Sequence, residues 1–177
     1  MGRVGIDDLE ALQGLGLQRA ERTELLTAQT ECTFVFSSDA GWPSGVVMTF
    51  IHVDGVFWLT AVEGRSQTRG IERDPRATIV VSNAGTGLPG RRMAAYKCVV
   101  TVHRDRTTLD WFLGEFTKRL QPEDTGPWRK LLDSPNRVVF QARPVAVAVS
   151  HDSRKIPGGG RTPPGPAGAQ PTPESTP

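Results

Sequence analysis

The sequence lacks most of the features that mark metal-binding, membrane or secreted proteins. It has only two cysteines among 177 residues, Cys32 and Cys98, and no cysteine–histidine spacing suited to zinc. Its longest apolar runs are far shorter than the ~20 residues that a membrane span needs. The opening residues, MGRVGIDDLEAL, are acidic where a signal peptide would be basic and then apolar. We therefore predict a cytoplasmic protein without a metal, whose two thiols are free and buried.

The sequence also lacks the common hydrolase motifs and a strong excess of positive or negative charge. The chain has no GxSxG or HExxH motif and no paired carboxylates at hydrolase spacing, which argues against a hydrolase. Its three histidines, His52, His103 and His151, are scattered and have no partner at catalytic or ligand spacing. The net charge of +2 is too balanced to indicate nucleic-acid binding. Several arginines do cluster between Arg65 and Arg92, which favours a local anion site.

Composition divides the chain into three parts. Half of the residues from 154 to 177 are glycine or proline, so this segment cannot bury enough apolar surface to fold and is predicted to be a disordered tail. Residues 1–24 are predicted to be a helical lead-in to the domain, with helix over Ile6–Gln29 that is interrupted near the glycines at 14 and 16. Residues 25–153 are predicted to form one folded domain.

The folded part is predicted to be mainly β (α+β). Six apolar runs are typical of strands, and they cover Cys32–Ser37, Gly45–Val53, Val56–Val62, Ala77–Asn83, Met93–Val102 and Val138–Ser150. Asp54-Gly55 is a strong hairpin signal. One amphipathic helix has apolar residues at helical spacing, Leu109, Phe112, Leu113, Phe116 and Leu120, and residues 121–136 are predicted to be a connection. Six strands with short turns and flanking helices predict an antiparallel barrel, since closure leaves no exposed edge.

The most informative segment runs from Trp58 to Arg76. It is typical of a strand, a turn, a two-turn helix that ends before Pro75, and a further strand. A helix N-terminus presents unpaired N–H groups and a partial positive charge. Arg65, Ser66 and Arg69 would add charged and hydroxyl donors there. The segment therefore predicts a site for the phosphate of a small molecule.

A formal match to the dinucleotide fingerprint GxGxxG occurs at Gly85–Gly90. That fingerprint works only where a strand meets the N-terminus of a helix. Here Pro89 lies inside the motif and a strand-like run follows. We therefore predict a mobile hairpin loop, next to the cleft that would hold a ligand.

Several stretches, taken in order along the chain, resemble one protein family. They are Leu25–Cys32, Gly41–Pro43 with Gly45–Phe50, Asp54-Gly55 with Phe57–Thr60, Glu63–Arg69 with Arg73–Arg76, Arg137–Val139 and Arg143–Val145. From Leu25 to Ser150 the chain resembles the pyridoxamine 5'-phosphate oxidase-like family of flavin-binding split β-barrels. The resemblance is strongest to the actinobacterial branch of that family that uses deazaflavin.

The resemblance implies a fold, a cofactor and a set of site residues. The fold would be an FMN-binding split β-barrel of about six antiparallel strands with flanking helices. It would form a homodimer with the cofactor in a groove between the subunits. FMN or the deazaflavin coenzyme F(420) would transfer a hydride to or from a small organic substrate. The implied phosphate ligands are Arg65, Ser66, Gln67 and Arg69, and the residues that would flank the ring are Val47, Met48, Thr49 and Thr60.

One position departs from the family pattern. Many members carry lysine where this chain has Gln67, although some branches carry Arg-Ser-Gln as here. A charge-assisted hydrogen bond contributes roughly 1.5–3 kcal/mol against about 1 kcal/mol for a neutral one, so the loss in affinity would be about tenfold.

Three functions stay open on these residues. The first is an oxidoreductase, for which no catalytic residue can be assigned. The second is a flavin-binding or storage module without turnover, which the absence of an identifiable proton donor favours. The third is a haem-binding split barrel with His52 or His103 as an axial ligand.

Overall fold

A computed structural model describes residues 14–156 of the chain. The predictions for residues 1–13 of the lead-in and 157–177 of the tail lie outside these residues. The helices are α1 (Arg19–Ala28), α2 (Ser66–Arg73), α3 (Arg106–Leu120) and α4 (Thr125–Leu132). The strands are β1 (Glu31–Ser37), β2 (Pro43–Val53), β3 (Val56–Val62), β4 (Arg76–Ser82), β5 (Arg92–His103) and β6 (Arg137–Asp152). A short 3-10 helix, Ser153–Lys155, follows β6.

The six strands close into a barrel in the order β1-β2-β3-β6-β5-β4. Every neighbouring pair is antiparallel, and β6 returns to lie between β3 and β5. The β2–β3 turn places Asp54 at φ 50° and Gly55 at φ 78°, as a tight two-residue hairpin requires. The α+β class, the hairpin and the six-stranded antiparallel barrel predicted from the sequence are confirmed.

Side chains alternate between the inside and the outside of the barrel along each strand, and those that point inward are mostly apolar. On β1, Cys32, Phe34 and Phe36 point inward while their neighbours are half-buried or exposed. The ring of Phe34 lies 5.6 Å from that of Phe140 on β6. Full burial of such a side chain contributes about 1.5–3 kcal/mol. Cys32 and Cys98 are both free and buried, as predicted.

The amphipathic helix α3 covers the outside of the barrel. Its buried residues are Leu109, Phe112, Leu113, Phe116 and Thr117, so the predicted apolar face is confirmed except that Leu120 is only partly buried. This face packs on Ile51 of β2 and Val139 of β6. Asp105 caps the helix, with its carboxylate accepting from Thr108 N–H at 2.8 Å. The helix is therefore fixed both at its start and along its length.

Strands β2 and β3 diverge part-way along their length. They pair with each other only over Phe50–Val53 and Val56–Leu59. Beyond that point, residues 43–49 of β2 pair with β1, and residues 60–62 of β3 pair with β6. The edges that would otherwise face each other have no strand partner there. A groove in the barrel wall results.

Three features differ from the expectations. Residues 125–132 form helix α4 instead of an irregular connection. Helix α1 lies within the predicted helical range Ile6–Gln29 but crosses the domain boundary placed at residue 24, and it buries Leu25 completely in the core. Arg154 and Lys155, which composition assigns to the tail, lie in the 3-10 helix, and Lys155 pairs with Glu21 at 2.7 Å. No helix in residues 14–156 is both long and apolar enough to cross a membrane.

Candidate functional site

The groove between the diverging ends of β2 and β3 has a volume of about 320 Å³. Its walls come from these two strands, the first turn of α2, the facing sides of α3 and α4, and the start of β6. Six of the eight residues predicted to bind a cofactor line this one groove: Val47, Met48, Thr49, Thr60, Arg65 and Gln67. Residues up to twenty positions apart in the sequence are thus brought together.

Some backbone groups along the groove are free to bind a ligand, although the Val62 carbonyl already accepts from Arg65 N–H and from the Thr68 hydroxyl. Over Val47–Thr49 and Thr60–Val62 the facing strand edges lack a ladder partner. A backbone N–H or C=O on such an edge pairs with solvent or with a ligand. The side chain of Val47 is 71% exposed, whereas that of Met48 packs into the barrel core. Phe50 N–H donates to the Thr30 carbonyl, so the backbone of Met48, two residues earlier, also faces β1, and it is Val47 and Thr49 that direct backbone groups to the groove.

Arg65 lies at the junction of the groove and α2. It is the N-cap of that helix, and no side chain accepts a hydrogen bond from the first-turn N–H groups. Within residues 14–156, its guanidinium has no ion pair and no hydrogen-bond partner. The helix N-terminus and an unpaired guanidinium therefore place positive charge at the same end of the groove.

Arg137 adds a second cation that sequence reasoning did not assign to the site. It is the first residue of β6, and its Nε donates to the Leu132 carbonyl at 2.8 Å. Burial lowers the pKa of its guanidinium. No carboxylate in residues 14–156 pairs with it. A half-buried cation without a counter-ion is costly, and an anionic ligand in the groove would offset that cost.

Two residues predicted to bind phosphate do not line the groove. Ser66 is exposed at the first position of α2. Arg69 pairs with Asp39 at 2.9 Å and also donates to the Gly64 carbonyl. Hydrogen bonds from Arg69 and Arg73 hold the pKa of Asp39 below its ordinary value. Arg69 thus joins α2 to the β1–β2 turn, and its charge is already compensated.

Helix α4 supplies a groove wall that the sequence analysis missed. Trp128 and Leu132, one turn apart, both line the groove, and the Trp128 ring lies 5.4 Å from that of Phe116. The signal for this helix was present. Asp124 precedes it, Pro127 occupies its first turn, and its two inward residues have i, i+4 spacing.

The groove offers few groups that exchange protons near neutral pH. Among its described lining residues, the titratable side chains are Arg65 and Arg137. The Thr60 hydroxyl donates to the Val138 carbonyl at 2.9 Å, which leaves only its oxygen lone pairs for a ligand. The groove is therefore suited to bind and orient an anionic ligand rather than to protonate one.

The histidines lie elsewhere in the described structure. His52 packs on Phe57 at 4.9 Å between ring centroids, and burial lowers its pKa. His103 lies 3.2 Å from the Gln141 amide oxygen. Within residues 14–156, no histidine lines the groove, and no group of three His, Cys, Asp or Glu side chains is placed to hold a metal ion.

The Gly85–Gly90 loop is a hairpin connection between β4 and β5, as predicted, and it does not line the groove. The Asn83 amide donates to the carbonyls of Leu88 and Gly90, each at 2.8 Å. Thr86 donates to the Asn83 carbonyl at 2.9 Å. Side-chain hydrogen bonds therefore shape the loop, and the expectation that it borders the ligand cleft is wrong for the described groove.

A larger cavity, of about 470 Å³, lies between β1, β4 and β5 and reaches Val145 of β6. Its cations are Arg76, which pairs with Asp74 at 2.7 Å, and Lys97. It has no helix N-terminus among its lining residues and none of the predicted site residues. The smaller groove has a helix N-terminus and six of the predicted site residues, so it is the candidate site.

No profile of a known protein family and no curated protein matches the sequence. Solved structures match it in fold. The conserved hypothetical protein Rv2991 from Mycobacterium tuberculosis has a TM-score of 0.69 at 18% identity, over 81% of this chain and 89% of that one. HutZ, the haem storage protein from Vibrio cholerae, has a TM-score of 0.62 at 14% identity, over 75% and 94%. An F(420) reductase has a TM-score of 0.54 at 19% identity, over 71% and 94%.

The chain has the split-barrel fold of the pyridoxamine 5'-phosphate oxidase-like proteins. The resemblance seen in the sequence is confirmed at this level. Split barrels of similar fold include flavin-type oxidoreductases and a haem storage protein. Because one fold carries several functions, the ligand of this split barrel is argued from its own groove.

Proposed function

We propose that this split barrel is an oxidoreductase that binds a phosphate-bearing flavin, FMN or the deazaflavin coenzyme F(420), in the groove between β2 and β3. The observation that carries the proposal is Arg65, which has no partner among residues 14–156 and lies at the N-terminus of α2, at the end of a groove with free strand edges. The similarity in fold to an F(420) reductase supports the same cofactor class.

The residues present fit such a cofactor. Arg65 and the first-turn N–H groups of α2 would hold the phosphate, since charge-assisted hydrogen bonds and the helix dipole both favour an anion there. Arg137, which no carboxylate among residues 14–156 neutralises, would bind a second negative group. Gln67 would add a neutral donor.

The ring system would lie against the strand edges of the groove. Backbone groups of Val47, Thr49 and Thr60 would hydrogen-bond to its polar atoms, and Trp128 would exclude water from one side. When bound, the cofactor supplies hydride-transfer chemistry, while the protein supplies position and electrostatics.

We further propose that the protein works as a homodimer. Residues Val145–Val149 of β6 are five consecutive apolar residues, and all five are exposed. Trp42 and Val47 are also exposed, by 74% and 71%. Exposed apolar surface of this kind is typical of an interaction site. Val47 lies on the groove, so a second copy seated on this surface would border the cofactor.

Sedimentation velocity tests the dimer. We expect Val147→Lys to produce monomers, because it places a charge in the proposed interface, and Leu131→Lys to remain dimeric. Leu131 is a matched control, since it is apolar and 72% exposed but lies on α4. A monomeric unmodified protein would contradict this proposal.

Turnover distinguishes an enzyme from a binding module. The groove has no carboxyl, imidazole, thiol or phenol among its described lining residues, which is the observation in favour of a flavin-binding module. The test is whether protein-bound reduced F(420), or reduced FMN under exclusion of oxygen, is reoxidised faster when small organic acceptors are added. We expect acceleration by at least one acceptor. Tight binding with no acceleration across a broad panel would favour the module.

A further inference from the structure

A separate cavity of about 300 Å³ lies between α1, the β2–β3 hairpin and the strands β5 and β6. We call it the α1 pocket, and its polar lining residues include Arg19, Arg22, His52 and Tyr96. It shares no lining residue with the groove.

Tyr96 is the unusual member of this pocket. The residue is only 6% exposed, and its hydroxyl has no hydrogen-bond partner among residues 14–156. Its ring is fixed against Phe57 at 5.1 Å between centroids. Buried hydroxyl groups are normally paired, because an unpaired one loses its hydration without compensation. The Tyr96 hydroxyl therefore lies just beneath the floor of the pocket with its hydrogen bond unmade, and a polar group that enters the floor would satisfy it.

Two arginines place positive charge at the same pocket. Arg19 and Arg22 lie in the first turns of α1, where the helix dipole disfavours cations. Neither pairs with a carboxylate within residues 14–156, and Arg22 donates to the Leu17 carbonyl at 2.5 Å. The charge of Arg22 lowers the pKa of Tyr96, against the larger effect of burial, which raises it. Arg22 is therefore close enough to act on the same bound group as the phenol.

The remaining wall of the pocket is apolar. Leu26 lies on the side of α1, and Val145 and Val147 lie on the side of β6. No aspartate or glutamate is among the described residues that line the pocket. A ligand that matches this lining carries one negative group on an apolar body.

We propose that the α1 pocket binds a small organic anion, whose carboxylate or phosphate group accepts from the Tyr96 hydroxyl and pairs with Arg19 and Arg22. Its apolar body lies against Leu26 of α1, while Val145 and Val147, which lie at the proposed subunit interface, border the pocket on its other side. The site does not depend on the flavin-type function proposed for the groove.

Isothermal titration tests the proposal with three probes in a low-salt buffer without phosphate. Benzoate and phenyl phosphate carry the two anionic groups on the same ring, and benzamide is the neutral control. We expect both anions to bind in the millimolar range or more tightly, and benzamide not to bind. The tighter of the two anions identifies the preferred group.

Variants locate the binding. We expect Tyr96→Phe and Arg19→Gln each to weaken benzoate binding by about tenfold, since each removes one hydrogen bond to a charged group. Lys130→Gln removes an exposed charge on α4 and should change nothing. Unchanged affinity in both pocket variants would overturn the proposal. Absence of binding by either anion at about 10 mM would overturn it as well.

Thermal unfolding supplies a second readout for Tyr96. Because its hydroxyl is buried without a partner among residues 14–156, Tyr96→Phe should raise the Tm of the ligand-free protein. The same variant should lose most of the rise in Tm that benzoate gives the unmodified protein. A lower Tm in Tyr96→Phe would mean that the hydroxyl has a structural partner, and would contradict the proposal.

Discussion

Replacing Arg65 by alanine removes a cation at the N-terminus of α2 that has no partner among residues 14–156, and Arg69→Ala is its matched control. Both residues lie on the same short helix segment, four positions apart, and each substitution removes one positive charge. Arg65 lines the groove without a partner in residues 14–156, whereas Arg69 is paired with Asp39 at 2.9 Å. The comparison therefore separates a ligand contact from the general loss of charge near the groove.

The magnitude follows from the kind of bond that is lost. A hydrogen bond to a charged group contributes about 1.5–3 kcal/mol, and each 1.4 kcal/mol corresponds to a factor of ten. We expect Arg65→Ala to weaken cofactor binding by about tenfold or more. Arg65 is exposed, so solvent screening favours the lower end of that range. Arg69→Ala should weaken binding by less than about threefold, because Asp39 already compensates its charge.

The assay is a fluorescence titration of each variant with the cofactor that the unmodified protein binds, at fixed ionic strength. Far-ultraviolet circular dichroism confirms that both variants are folded. Equal losses in the two variants would refute the reasoning, since they would reflect only net charge. Unchanged affinity in Arg65→Ala would remove Arg65 from the phosphate site.

The remaining predictions concern stability and reactivity. Gly70→Ala should cost about 1–3 kcal/mol in urea unfolding, because the new Cβ would lie 2.5 Å from the Phe36 ring. Gly114→Ala should stabilise by up to about 1 kcal/mol, because the nearest atom to its Cβ, on the Arg129 side chain, would lie 3.7 Å away in ordinary contact. Arg154 lowers the pKa of Asp152, so the ionised carboxylate stabilises the fold above about pH 4, and this stabilisation is lost as the pH falls further. Asp152→Asn should therefore lower the Tm at pH 7. The Tm of this variant should also fall less than that of the unmodified protein when the pH is lowered below about 4. Burial raises the pKa of Cys32 and Cys98 to about 12, so neither should react with a thiol reagent at pH 8 unless the protein unfolds.

The strands and the two longer helices, α1 and α3, could be predicted from local sequence patterns. Period-two alternation, Asp54-Gly55 and Pro75 specify where β2, β3 and α2 begin and end, and these signals act over a few residues. Arg65 could be predicted for the same reason, since it directly precedes α2, whereas Val47–Thr49 and Thr60 were implied only by the resemblance to the family.

The parts that could not be predicted depend on contacts between distant residues. Whether Arg69 binds a ligand is decided by Asp39, thirty positions earlier, which the β1–β2 turn brings within 2.9 Å. Arg137 reaches the groove because β6 pairs with β3. Sequence periodicity carries no information on either arrangement. Helix α4 was missed for another reason: eight residues with two inward side chains give a weak periodic signal.

The central claim is that the groove between β2 and β3 binds a phosphate-bearing flavin, and direct titration of the purified protein with FMN and with F(420), side by side, tests it. We expect at least one of them to bind in the micromolar range, with affinity that falls as salt is added, because the contacts to Arg65 and Arg137 are ionic. Binding of neither cofactor below millimolar concentration would contradict the account.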